Sequence, residues 1–204
     1  MKQTHIFIIA VMGILAFSFV KNNEAEKIWT EQSKIDKVIA YEKGLSKKSE
    51  FLKINSSLSK SVYPLLDQYK MANPIIVKRK QTGFLPLYAE YYYSASDSIL
   101  RYVSYDWERD KFGNFFDKQK IWDEEKTKLK EYNKEYERIK TQLETQIGKP
   151  TTEDKEPQIT KSTAGRGDYL SREANWETDE YHAEVGMIFE SMTYRIRMTY
   201  YWKK

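Results

Sequence analysis

The sequence predicts an α+β fold: an antiparallel sheet of five to six strands packed against one long amphipathic helix, with one or two extra N-terminal helices. Three observations carry that expectation. Residues 181–189 and 194–202 alternate apolar and polar side chains with period two, the mark of antiparallel strands with one buried face. Trp122, Leu129, Tyr132, Tyr136, Ile139, Leu143 and Ile147 recur at steps of three, four and seven, which places them on one helical stripe. Sixteen Tyr, nine Phe and five Trp in 204 residues supply the bulky side chains that strands favour.

The elements are read in chain order. Residues 1–18 have the form of a secretory signal: a short positive lead, an apolar run over 6–19, and Ala16 and Ser18 spaced for cleavage after Ser18. Residues 19–204 then form a single domain. Its first part, 19–73, is expected to be mainly helical. Asn23 and Glu26 have capping-box spacing, Ile28, Ile35, Val38 and Ile39 form a thin stripe, and Gly44 stops the helix. Residues 47–59 read as a polar loop. Val62, Leu65, Leu66 and Tyr69 suggest a second, shorter helix with Pro64 in its first turn.

Strands occupy 74–108, with a hairpin turn at 95–97. Ile99, Val103, Tyr105 and Trp107 share one face of the last of them, and Arg101 is the exception there. The long helix spans 117–147 and is stopped by Gly148 and Pro150. Trp and Tyr on its seam favour packing on a sheet over a coiled coil. Residues 151–167 are polar and aperiodic, as in a flexible loop. Strands return over 168–203.

Composition narrows function without naming it. The chain has no cysteine, which excludes disulfides, thiol catalysis and thiolate metal sites. The net charge of +4 is far from the basic bias of a nucleic-acid binder, so none is expected. Residues 19–80 nevertheless hold thirteen Lys/Arg against seven Asp/Glu, a local excess that can touch anionic envelope surfaces. No segment after the signal has transmembrane length. An exported protein, periplasmic or secreted and bacterial in its composition, is the address implied.

Candidate sites are few. His182 and Glu184 project to one side of a strand and have the spacing of two metal ligands, but no third completes a set. A cross-strand ion pair of Glu184 with Arg195 or Arg197 is the simpler expectation. Asp106, Glu108, Asp110 and Asp117 fall at calcium-loop positions one, three, five and twelve, yet Lys111 stands where that loop needs glycine. Arg166-Gly167-Asp168 matches an integrin-binding tripeptide and Asn55-Ser56-Ser57 a glycosylation sequon; both are short enough to arise by chance. Neither cofactor nor metal is expected. Tyr88, Tyr92, Tyr102 and Tyr201 lie opposite the presumed core faces and are the candidate binding residues, because tyrosines on an open sheet face suit a protein or glycan ligand. The expectation is a non-enzymatic exported binding domain. The alternatives are an envelope or glycan hydrolase using Asp106, Glu108 or His182, and a protein held at anionic surfaces by its basic N-terminal third.

Overall fold

The structure, a computed structural model, describes residues 28–45, 49–81, 83–161, 168–190 and 192–204. Its strands are β1 (Glu50–Leu52), β2 (Ile75–Arg79), β3 (Leu87–Tyr93), β4 (Leu100–Glu108), β5 (Thr152–Glu153), β6 (Gln158–Thr160), β7 (Tyr169–Glu177), β8 (Tyr181–Glu190) and β9 (Thr193–Trp202). The helices are α1 (Ile35–Gly44), α2 (Phe115–Glu125) and α3 (Leu129–Ile147). The signal and the Asn23–Glu26 cap lie outside the described residues, as do Arg166 and Gly167 of the tripeptide.

All strands join one antiparallel sheet in the order β1-β2-β3-β4-β9-β8-β7-β5, with β6 also paired to β7. This corrects the expected architecture of five to six strands on one long helix: the described residues form nine strands, and their helical layer is three short helices of 10, 11 and 19 residues. The extra strands are β1, β5 and β6, each two or three residues long. They add to the sheet edges through main-chain hydrogen bonds, so they need no side-chain period and their sequences read as loop. Their amides are expected to exchange with solvent orders of magnitude faster than those of central β4 and β9; uniform protection across the sheet in a hydrogen-exchange experiment would contradict this ordering.

The helix expected at 117–147 is broken between Glu125 and Leu129. At the break Glu125 turns inward and is almost wholly buried. It accepts hydrogen bonds from Arg109 Nη1 at 2.8 Å, Lys128 Nζ at 2.9 Å and the Tyr132 hydroxyl at 2.7 Å. The apolar stripe runs on in phase across the break, which is why periodicity alone conceals it. Downstream, Tyr132, Tyr136, Ile139 and Leu143 pack α3 against the core face of the sheet. Gly148 ends α3 at φ 88°, a conformation costly for a residue with Cβ. Its carbonyl accepts from Trp176 Nε1 at 2.7 Å and anchors the helix end to β7.

The second expected helix is replaced by a single 3-10 turn at Leu66–Gln68. Tyr63, Leu65, Leu66 and Tyr69 use their apolar side chains to lie down on the sheet instead. Ile28 and Trp29, expected in the first helix, lie before it outside any helix and are buried in the core. Arg101 leaves the core face because the β3–β4 register shifts there: Tyr92 pairs with Tyr102 and Tyr93 with Leu100. The bulge returns Leu100 to the core and sends Arg101 onto the Tyr69 ring, 4.0 Å from its centroid.

The core lies between the helices and one sheet face, where Val103, Tyr105 and Trp107 meet Val185, Met187, Ile196, Met198 and Tyr200. It also holds an ion pair. Glu42 of α1 and Arg79 of β2 are buried, with Nη2 2.5 Å from Oε1. The Tyr91 hydroxyl donates to the same carboxylate at 2.5 Å, and Tyr105 extends the network to the Trp29 amide.

Candidate functional site

The sheet face opposite the helices is covered unevenly. Residues 58–71 cap its β3–β4 end through Leu58, Tyr63, Leu65, Leu66, Tyr69 and Met71. Phe112 closes over Tyr88 in an edge-to-face contact at 5.4 Å. Over β7, β8 and β9 the face remains a cleft of about 370 Å³, walled on one side by Ser61, Val62 and Pro64.

Strand register sets the cleft floor in rows. Glu173, Gly186, Arg197 and Asp106 form one row across β7, β8, β9 and β4. Ile188, Arg195 and Glu108 lie to one side of it. On the other side come Glu184 with Thr199, then His182 with Tyr201 and Tyr102. Gly186 leaves this floor bare: a Cβ there would stand 3.1 Å from Glu184 Oε1, so the Glu184 carboxylate leans over the glycine.

Charges beside the cleft are mostly satisfied. Arg197 Nε donates to Asp106 Oδ1 at 2.6 Å and Lys111 Nζ to Oδ2 at 2.5 Å. Lys111 also bonds Glu90, which accepts from the Tyr92 hydroxyl at 2.5 Å. Ser56 bonds Tyr92 at 2.7 Å and ends the chain. Burial pushes the Asp106 carboxyl up, but the charges and hydrogen bonds of Arg197 and Lys111 outweigh it and hold the group below its ordinary value. His182 Nδ1 lies 2.6 Å from Glu177 Oε2, and its ring stacks on Tyr201 at 4.9 Å.

Four ionisable side chains in or beside the cleft, Arg195, Glu108, Glu173 and Glu184, form no ion pair among the described residues, and of these Glu173 is exposed to solvent. Arg195 forms no ion pair among the described residues, and its Nε is buried without a partner. Burial, then the neighbouring Arg197, lowers its pKa from the ordinary arginine value. Glu108, opposite it in register, makes no ion pair with it; burial and Asp106 push that carboxyl up. Glu173 and Glu184 have no side-chain partner among the described residues. Burial and then Glu184 push the Glu173 carboxyl up.

The sequence-derived candidates are distributed differently from the open aromatic face expected of them. Tyr88, Tyr92 and Tyr102 are only 3%, 4% and 2% exposed, because residues 58–71 and Phe112 lie over them. Tyr102 and half-buried Tyr201 border the cleft. The expected pair of Glu184 with an arginine does not form, since Asp106 takes Arg197 instead. Asp106, Glu108, Asp110 and Asp117 do not converge, and no group of three or more metal-ligating side chains occurs among the described residues. Asp117 instead accepts from the side chain of Asn114, the α2 cap. No hydroxyl is hydrogen-bonded to His182 among the described residues. Asp168 and Asn55 are exposed. In the basic N-terminal third, Arg79 is buried in the core ion pair and Lys60 pairs with Asp67 at 2.5 Å. No helix among the described residues is long and apolar enough to cross a membrane.

Sequence reasoning missed Glu173 and Gly186. Gly186 was legible as a lone glycine inside an alternating strand, the signal of close approach to the backbone. Glu173 becomes a neighbour of the arginines only through the β7–β8 register. No family model matches the chain, and no curated protein or solved structure is detectably similar to it.

Proposed function

We propose that this protein is an exported, non-enzymatic binding domain whose ligand sits in the cleft over β8 and β9. The observation that carries the reading is the contrast between two neighbouring arginines. Arg197 is locked to Asp106, whereas half-buried Arg195 has its Nε enclosed without a partner among the described residues. An unmatched buried donor costs about 1–3 kcal/mol, and a ligand that satisfies it recovers that cost. Concave sites with a few convergent polar groups are the usual form of ligand pockets. A hydrolytic role finds less support. Asp106 is held ionised inside an ion-pair network, which suits structure better than proton transfer.

A panel of amino acids, short peptides, oligosaccharides and phospholipid headgroups, followed by amide chemical shifts, tests the proposal. The expected result is a probe that moves resonances of β8 and β9 around Gly186. Gly186→Leu places a side chain on the floor, beginning with a Cβ that displaces the flexible end of Glu184, and is expected to abolish those shifts in a protein whose circular-dichroism spectrum is unchanged. Binding that survives Gly186→Leu undiminished contradicts this placement. Export is tested by N-terminal sequencing of secreted material, expected to begin after Ser18; recovery of the intact leader in the cytosol counts against it.

A further inference from the structure

We propose that residues 54–69 form a lid over the sheet: a strap that lifts as a unit, withdraws the Tyr63 ring from Tyr102 and Tyr201, and lengthens the cleft along a row of tyrosines to Tyr92. Strand pairing sets that row. His182, Tyr201, Tyr102 and Tyr92 stand opposite one another across β8, β9, β4 and β3. The strap and the cleft share parts. Ser61, Val62 and Pro64 are the cleft wall, and Tyr102 and Tyr201 border it. The Tyr63 ring rests on both tyrosines, at 5.9 and 5.5 Å between centroids, and is fully buried. Lifting the strap therefore removes the wall and uncovers the floor behind it in one movement.

The strap can move without the rest of the fold. Its main chain is tied to the sheet beyond its two ends: β1 pairs with β2 before it, and after it the Lys70 carbonyl accepts from the Ala95 amide and the Ala72 amide donates to the Tyr93 carbonyl. Among the described residues, the main-chain hydrogen bonds of 54–69 are internal, as from the Val62 and Tyr63 amides to the Ser59 carbonyl, so the strap keeps its shape as it lifts. Its apolar contacts form a second cluster around Tyr63, Tyr92 and Tyr102, separate from the main core, which stays packed on the other sheet face. Ser56 adds a polar tether to the Tyr92 hydroxyl at 2.7 Å. Closure also has a cost. The Tyr63 hydroxyl is buried without a partner, and so is Nε of Arg101, whose guanidinium lies over the Tyr69 ring. Water reaches both groups once the strap is lifted and restores the hydrogen bonds that closure forfeits. Few main-chain ties, a small satellite cluster and unmatched polar groups place this segment at the low-stability end of local opening, from which lids are drawn.

Tyrosine nitration by a short pulse of tetranitromethane, read residue by residue through peptide mapping, tests the lid in the wild-type protein. Tyr63, Tyr92 and Tyr102 belong to the strap or lie beneath it, whereas Tyr91, Tyr105 and Tyr132 are buried in the main core. Burial pushes all six hydroxyls up, so a ring reacts only while it is uncovered. The first three are expected to react together, at least about tenfold faster than the other three, in protein that keeps its circular-dichroism spectrum. Tyr63→Phe retains the ring and removes the unmatched hydroxyl, and is expected to slow the reaction of Tyr102 at least about threefold, because closure then forfeits one hydrogen bond fewer. Equal rates for all six tyrosines would overturn the inference, and so would a Tyr102 rate that Tyr63→Phe leaves unchanged. The comparison of six rates needs no variant, so a misfolded Tyr63→Phe leaves the test intact. The lid and the binding reading fail separately. Equal rates in a protein whose β8 and β9 amides respond to a probe remove the lid alone, and unequal rates in a protein that no probe moves remove the binding reading alone.

Discussion

Replacing Arg79 with methionine is expected to cost about 3–5 kcal/mol of folding stability, because it leaves the Glu42 carboxylate charged and uncompensated in the core. Glu42 is fully buried and Arg79 only 3% exposed. The guanidinium reaches Glu42 through Nε, 3.2 Å from Oε2, and Nη2, 2.5 Å from Oε1, so the pair is bidentate, and Tyr91 and Ser49 complete the carboxylate's partners. Water cannot replace what the methionine removes. Glu42→Leu is expected to be similarly harmful, since it strands the arginine. The double variant is the informative one. Both charges are then gone, and the remaining loss is confined to the Tyr91 and Ser49 hydroxyls, which lose their acceptor. Its destabilisation is expected to fall well short of the two single losses added together, as measured by denaturant unfolding. Strict additivity would show that the two groups do not act as a unit.

Asp106→Asn is expected to destabilise by about 3 kcal/mol near neutral pH, with a sign that reverses nothing but a size that follows pH. Asp106 is fully buried between Arg197 and Lys111. Its carboxyl is held below the ordinary value in the folded protein. The stabilisation it contributes is therefore complete above the unfolded carboxylate pKa of about 3.9 and is lost as pH falls through the lower folded value. The gap between wild type and Asp106→Asn is expected to be widest near pH 7 and to narrow below about pH 4. Because Lys111 also holds Glu90, and Glu90 holds Tyr92, the substitution loosens the polar belt at the edge of the cleft. A gap that stays constant down to pH 2 would mean that Asp106 is not titrating within this network.

The parts of the fold that could be read from sequence are those in which each residue's surroundings repeat along the chain. In β8 and β9 every second side chain meets α3 or its neighbours, so Ala183, Val185, Met187, Ile196, Met198 and Tyr200 form a period-two row. Gly148 and Pro150 mark the end of α3 by local chemistry. The size of the sheet was not legible, because β1, β5 and β6 are recruited by the open edges of β2 and β7 rather than by their own residues. The break after Glu125 was hidden because a buried carboxylate, not a helix breaker, causes it.

The same distinction applies to the cleft. Period two placed His182 with Glu184 and Arg195 with Arg197 on one face. It could not say that Asp106 would claim Arg197 and leave Arg195 free, since that choice depends on which strand lies beside β9. Nor could it foresee that the tyrosines opposite the core would be covered. Residues 62–69 look helical in isolation, and the apolar surface of Tyr92 and Tyr102 draws them down flat.

The most direct test follows the side-chain Nε–Hε resonances of Arg195 and Arg197 while a probe that moves the β8 and β9 amides is added. The account predicts that the Arg195 signal shifts and becomes protected from exchange, while the Arg197 signal, already committed to Asp106, stays in place. A probe that binds while Arg195 remains unmoved, or that draws Arg197 away from Asp106 instead, would contradict it.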